Sequence, residues 1–178
     1  MKRYIVILPA LALLALLASP AWAQNKIMKE QGTEGGFNAA AGFEKLKSLA
    51  GDWQGSGPHG TTKITYQPVS GGSAVQETLM PPGEPSMITM YHLDGEKLVM
   101  SHYCSIGNQP RMQAQGPAGE ITSLTFALEA VTNLAEPTQG HMVRLAFTFQ
   151  GHDQFTQVWT WRQDGSDTPA IFTMARTK

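Results

Sequence analysis

The chain has a single cysteine, Cys104, among its 178 residues. No disulfide can therefore form within one molecule, and the apolar run around Cys104 predicts a buried thiol. Basic residues are also few, with 13 lysines and arginines against 14 aspartates and glutamates and no basic cluster. The sequence thus lacks the electrostatic footprint of a nucleic-acid-binding protein. It also lacks a catalytic triad order, a Gly-x-Ser-x-Gly motif and the ligand spacing of a metal site.

A long apolar run occurs at the N-terminus. Lys2 and Arg3 precede the apolar residues 5–18, and Ala21-Trp22-Ala23 then supplies small residues before Gln24. The run is shorter than the roughly 20 residues that span a bilayer, and the pattern is typical of a secretory signal peptide. We expect residues 1–23 to be removed, which leaves 11 basic and 14 acidic residues. The predicted location is the periplasm, with no membrane span after cleavage.

The remaining chain divides into an arm and one domain. Residues 24–37 are polar and rich in glycine, which predicts a flexible N-terminal arm, and residues 38–178 are the predicted domain. At its start, residues 38–49 predict a short helix with Asn38 as N-cap. Phe43, Leu46 and Leu49 share one face of that helix.

Beyond residue 51 the pattern has the period of two that strands require. Turn signals separate about ten strand-like segments: 52–56, 61–67, 74–80, 86–93, 97–105, 110–115, 120–128, 141–150, 154–162 and 170–177. Consecutive short strands favour antiparallel neighbours, and a sheet of this length avoids open edges by closing. We therefore predict an all-β fold, a single antiparallel up-and-down β-barrel of about ten strands with a short N-terminal helix. A two-sheet sandwich is the alternative.

The strongest hairpin signal is Asp94-Gly95. As a two-residue turn it would pair His92 with Lys97 and Met87 with His102. The two histidines would then face opposite sides of the sheet, which disfavours a metal site between them. The face of His102 mixes apolar and polar groups, as ligand pockets do. Its members are Met87, Thr89, Tyr91, Leu98, Met100, His102 and Cys104.

The candidate ligand-binding residues are His102, Arg111, Tyr91 and Met100. His102 and Arg111 would anchor a polar head group such as a carboxylate, and Met100 would offer adaptable apolar surface. In the structural alternative, Arg111 serves loop backbone groups and His102 is a hydrogen-bonded core residue. We predict no catalytic residue and no metal ligand. His59 lies in a predicted loop that could cap an opening of the barrel.

Two short motifs resemble those of known barrels. Gly51-x-Trp53, with Arg176 in the last strand, resembles the signature of the calycin superfamily, which includes lipocalins and fatty-acid-binding proteins. That resemblance implies a tryptophan across the closed end with an arginine stacked over it. Residues 51–57 are also similar to the opening of nitrobindin-like haem barrels. Those barrels take their axial histidine from near the C-terminal strands, where His141 and His152 are the candidates here.

A longer resemblance is to the DUF1579-like group, secreted bacterial proteins of unknown function. It is carried by residues 46–53, 90–98 and 102–112 and covers roughly residues 43–176. It implies no activity.

Three functions remain open at this point. The first is a periplasmic barrel that binds a small apolar or amphipathic molecule without catalysis and without a cofactor. The second is a haem-binding nitrobindin-like protein. The third is an enzyme that uses His102 as general base, with Cys104 or Tyr103 assisting.

Overall fold

The computed structural model describes residues 36–177. The predicted signal peptide, and all of the predicted arm except its last two residues, lie outside this range. The elements are α1 (Ala39–Lys47), β1 (Gly51–Gly57), β2 (Gly60–Val69), a 3₁₀ turn (Ser70–Gly72), β3 (Ala74–Met80), β4 (Met87–Asp94), β5 (Lys97–Tyr103), β6 (Gln109–Gln115), β7 (Ser123–Thr132), β8 (His141–Phe149), β9 (Gln154–Gln163) and β10 (Ser166–Arg176). Within residues 36–177, no helix has the length and apolar character needed to cross a bilayer.

The ten strands form one closed antiparallel barrel in which each strand pairs with its neighbour in sequence. Closure comes from β1 and β10, which pair from Trp53 opposite Arg176 to Ser56 opposite Thr173. This confirms the predicted up-and-down barrel, and the sandwich alternative is wrong. Closure satisfies the backbone groups that an open sheet would leave at its two edges.

The helix α1 covers one end of the barrel. Its N-cap is Asn38, whose side-chain oxygen accepts a hydrogen bond from the amide of Ala41 at 3.0 Å, as predicted. The three residues predicted to share its apolar face, Phe43, Leu46 and Leu49, are all buried. The helix ends at Lys47, two residues before the predicted end, and Leu49 follows in a turn.

Trp53 and Arg176 close the barrel beneath the helix. The Trp53 indole is buried and donates to the carbonyl of Leu49 at 2.7 Å. The Arg176 guanidinium lies 4.3 Å from the centroid of the Trp53 ring and donates to the carbonyls of Ser48 and Ala50. The predicted stacking of this pair is confirmed. It ties the last strand to the segment that joins the helix to β1.

The predicted register of the β4–β5 hairpin is wrong by two residues. Asp94 pairs with Lys97 and His92 pairs with Val99, so the turn consists of Gly95 and Glu96 rather than Asp94 and Gly95. Gly95 has φ of 59°, a conformation that glycine adopts without a steric penalty. A shift of two residues keeps every side chain on its predicted face.

The predicted face is therefore correct despite the wrong register. His102 is buried, whereas His92 is partly exposed on the other side of the sheet. All seven members of the predicted inner face are buried, including the free thiol of Cys104. Aromatic side chains fill the interior beneath the helix, where Phe155 contacts the rings of Trp53, Tyr66 and Phe147.

Candidate functional site

A cavity of about 110 Å³ lies at the end of the barrel away from α1. The β1–β2 turn contributes Pro58 and His59, and the β3–β4 loop contributes Pro81 and Glu84. Most of the remaining wall is apolar and consists of Leu79, Met87, Met142, Ala170 and Phe172. The space therefore suits an apolar group, and its polar contacts come from a few side chains.

His102 is one of those polar side chains. It lies on β5 opposite Thr89 of β4, and its Nδ1 atom is 2.9 Å from the Thr89 hydroxyl oxygen. Its Nε2 atom is buried and has no hydrogen-bond partner among residues 36–177. Burial lowers the pKa of His102 to about 4, because desolvation disfavours the charged imidazole. The ring is therefore neutral at physiological pH.

Trp159 of β9 is the second polar side chain in the cavity wall. Its ring centroid lies 4.5 Å from that of His102, and its indole Nε1 is likewise buried with no partner in the described chain. A buried polar group without a partner costs about 1–3 kcal/mol. Two such nitrogens belong here to neighbouring rings whose residues both line the cavity.

At the mouth of the cavity His59 contacts Glu84, a pair that is ionic when the histidine is protonated. His59 Nε2 lies 3.1 Å from Glu84 Oε1, and the two side chains are 62% and 39% exposed. At this exposure the pair contributes at most about 1 kcal/mol to stability. It joins the β1–β2 turn to the β3–β4 loop, so the predicted capping loop does border the opening.

A buried carboxylate, Glu77, lies among hydroxyl and amide donors inside the barrel. Its Oε2 atom accepts hydrogen bonds from the Tyr66 and Tyr91 hydroxyls, each at 2.7 Å, and from Gln157 Nε2 at 2.9 Å. Burial raises the pKa of Glu77, and these three hydrogen bonds oppose that rise. Burial, together with the charge of Glu77, also raises the pKa of both tyrosines.

Glu77 was not predicted as a site residue, although its position on β3 carries a signal. On β3 it alternates with Val75 and Leu79, so it occupies an inward position in an apolar pattern. A charged residue at such a position needs hydrogen-bond partners or a changed pKa. That requirement could have pointed to Glu77 before the fold was known.

The structure brings three of the four predicted site residues into the interior. His102 lines the cavity, Tyr91 binds Glu77 through its hydroxyl, and Met100 is buried between strands β4 and β6. Arg111 is exposed on the outer face of β6, because its neighbour Met112 takes the inward position. Arg111 therefore does not accompany His102, and the role of the other three in ligand binding stays a prediction.

The histidines considered as haem ligands, His141 and His152, are not among the residues that line the cavity. His141 has its Nδ1 atom 2.8 Å from the carbonyl oxygen of Gln139, and His152 is exposed in the β8–β9 turn. Pockets for larger ligands usually measure about 300–1,000 Å³, whereas this cavity measures about 110 Å³. The residues present do not fit a haem. Within residues 36–177, no cluster of three metal-ligating side chains occurs.

The described chain is thus a closed ten-strand barrel with a mainly apolar cavity at one end. No family model matches the chain, and no curated protein matches its sequence. Among solved structures, the chain is similar to the crystal structure of Rv2717c from M. tuberculosis, with a TM-score of 0.52 and 16% identity over 80% of this chain and 100% of that chain. At this identity the likeness shows the barrel fold alone. The resemblances to calycins and to the DUF1579-like group stay predictions.

Proposed function

We propose that the chain is a periplasmic barrel that binds a small, mainly apolar molecule in its end cavity and leaves it chemically unchanged. One observation carries this proposal. His102 Nε2 and Trp159 Nε1 are buried and unpartnered in the described chain, their rings are neighbours, and both residues line a mainly apolar space. Ligand sites have this composition, with apolar walls and a few polar groups that orient the bound molecule.

The size of the cavity limits the ligand. An apolar cavity of about 150 Å³ in another protein holds one benzene molecule, and the space here is about 110 Å³. The buried part of the ligand is therefore no larger than one small ring or a short branched chain. Met87 and Met142 lie in the wall and can adapt to different shapes, because the methionine side chain has several rotatable bonds.

The surroundings of His102 favour binding over general-base catalysis. An effective base has a pKa near the working pH, whereas burial lowers the pKa of His102 to about 4. Its Nδ1 contacts a threonine hydroxyl instead of a carboxylate that would raise its basicity. Tyr103, the suggested assistant, is 51% exposed and faces outward.

The proposal also includes a periplasmic location and a relationship to the calycins and to the DUF1579-like group. Periplasmic location is supported by the signal-peptide pattern of residues 1–23. Calycin-like kinship is supported by the stacking of Arg176 on Trp53 at the closed end. Kinship with the DUF1579-like group is supported by the three sequence stretches named above.

Native mass spectrometry of the protein purified gently from a periplasm tests the proposal. We expect the mass of a chain that begins at Gln24. We also expect an additional mass from a noncovalently bound molecule, which is lost on denaturation. Trp159→Phe should release this mass more readily, because the substitution removes the indole donor while keeping an aromatic ring. The matched control is Trp161→Phe on the same strand, since the Trp161 indole donates to Gln163.

Further outcomes separate the alternatives. A Soret band that appears on adding haem and is lost in His141→Ala or His152→Ala would favour the haem barrel. A protein that carries no extra mass and binds no member of a panel of small apolar compounds would contradict the binding proposal.

A further inference from the structure

We propose that the ligand presents a neutral hydrogen-bond acceptor, such as a carbonyl oxygen, to His102 and Trp159, and that carboxylates and amines are excluded. This inference rests on the proposed function, because it names the chemical class that the same cavity takes. It replaces the carboxylate head group expected from the sequence.

The neighbours of the His102 ring determine which of its nitrogens carries the proton. Thr89 is buried, and its hydroxyl oxygen lies 2.9 Å from His102 Nδ1. A buried hydroxyl needs an acceptor for its single hydrogen. The competing acceptor is the Tyr91 hydroxyl, but the Thr89 hydrogen bond with short, ordinary geometry is the one to His102. The Thr89 hydrogen is assigned to Nδ1, the acceptor at ordinary hydrogen-bond distance, which places the proton of the neutral imidazole on Nε2.

The indole of Trp159 supplies a second hydrogen-bond donor. An indole nitrogen is a donor and never an acceptor. With the proton on His102 Nε2, the unpartnered nitrogens of His102 and Trp159 are both donors. The centroids of their rings lie 4.5 Å apart, and a carbonyl oxygen has two lone pairs. In the proposed complex, one such oxygen accepts from both nitrogens. A protonated amine, the form of an alkylamine at physiological pH, carries only donors and has no acceptor to offer this pair.

Among residues 36–177, the interior around His102 offers no buried positive charge to a ligand. The buried polar residues of the described chain include no lysine or arginine, and Arg111 is exposed on the outer face. His102 is itself neutral at physiological pH. A carboxylate beside His102 would therefore lose its hydration without gaining a buried countercharge, because His59 lies at the exposed mouth and already contacts Glu84. A neutral carbonyl has much less hydration to lose.

The test uses the ¹⁵N-labelled protein purified from the periplasm. Long-range ¹H–¹⁵N spectra first report which His102 nitrogen carries the proton. Four probes of similar shape are then titrated: cyclohexanone, cyclohexanecarboxylate, cyclohexylamine and methylcyclohexane. The indole N–H signal of Trp159, assigned by its loss in Trp159→Phe, reports a hydrogen bond directly.

We expect the proton on Nε2, a downfield shift of the Trp159 indole signal with cyclohexanone, and binding of cyclohexanone about tenfold tighter than that of the carboxylate or the amine, which is roughly 1.4 kcal/mol. Trp159→Phe should weaken cyclohexanone binding by a similar factor and leave methylcyclohexane binding unchanged. Trp161→Phe should affect neither.

Other outcomes overturn the inference. A proton on Nδ1, tightest binding of the carboxylate or the amine, or equal binding of cyclohexanone and methylcyclohexane would each refute the acceptor class while leaving the binding proposal in place. Absence of binding by all four probes, with no extra native mass, would refute both.

Discussion

The buried carboxyl of Glu77 should make the stability of this protein depend on pH in a predictable direction. Glu77 is fully buried and accepts hydrogen bonds from Tyr66, Tyr91 and Gln157 on one oxygen. Its other oxygen, Oε1, has no partner in the described chain. Burial raises its pKa above the ordinary value of 4.5 despite those hydrogen bonds. The perturbation that isolates this effect is Glu77→Gln, which keeps the shape and removes the titration.

The direction follows from proton linkage. Because the folded protein holds the Glu77 proton at pH values where the unfolded chain has lost it, the proton stabilises the fold. This contribution is fully present below about pH 4.5, the ordinary pKa, and is lost as the pH rises through the raised pKa. In that window, the free energy of unfolding of the wild type should fall by up to about 1.4 kcal/mol per pH unit relative to Glu77→Gln.

Urea unfolding at a series of pH values between 4 and 8 measures this difference. Other carboxyls titrate in both proteins, so their effects cancel when the two unfolding free energies are subtracted. Glu129→Gln is the control, because Glu129 is exposed on β7, and its difference from the wild type should stay flat. A Glu77→Gln difference that is flat, or that grows in favour of the wild type as the pH rises, would refute the assignment.

Three other perturbations test the closed end and the core. Arg176→Met should lower the free energy of unfolding in urea by about 1–3 kcal/mol, because it removes three hydrogen bonds to carbonyls, the ion pair with Asp153 and the stacking on Trp53. Arg111→Met, on the outer face, should change it by less than about 0.5 kcal/mol, and equal effects would contradict the closing role. Asn38→Ala should cost about 1 kcal/mol in the same assay through loss of the helix cap, and Asn38→Asp should retain most of that stability. Cys104 is buried, so a maleimide should label it slowly in the native protein and rapidly in urea; rapid native labelling would contradict the packing described here.

Alternation along single strands was enough to predict much of the fold. Met87, Thr89 and Tyr91 were assigned to the inner face from spacing alone, and the assignment survived a register error because an even shift preserves faces. The same alternation along β6 assigns Arg111 to the outer face, because the neighbouring positions of Met112 and Ala114 are inward. Arg111 was proposed as a ligand contact for its charge, whereas its position in the strand places it on the exposed face.

Local signals also determined the start of the helix and its buried face. Asn38 as N-cap and the apolar spacing of Phe43 and Leu46 depend on neighbours within one or two turns, which the sequence displays directly. The Trp53–Arg176 contact spans almost the whole domain. It was predicted through a family resemblance, and physical reasoning from spacing would not have reached it.

The sequence alone determines which side chains point inward, because side-chain direction in a strand depends on local alternation. Which inward side chains meet depends on closure, strand tilt and stagger, which set the distances across a barrel. His102 and Trp159 lie on β5 and β9, which share no hydrogen bonds, and Glu77 meets Gln157 across the same interior. Both contacts, and with them the cavity and its unpartnered nitrogens, exist because the tertiary structure closes.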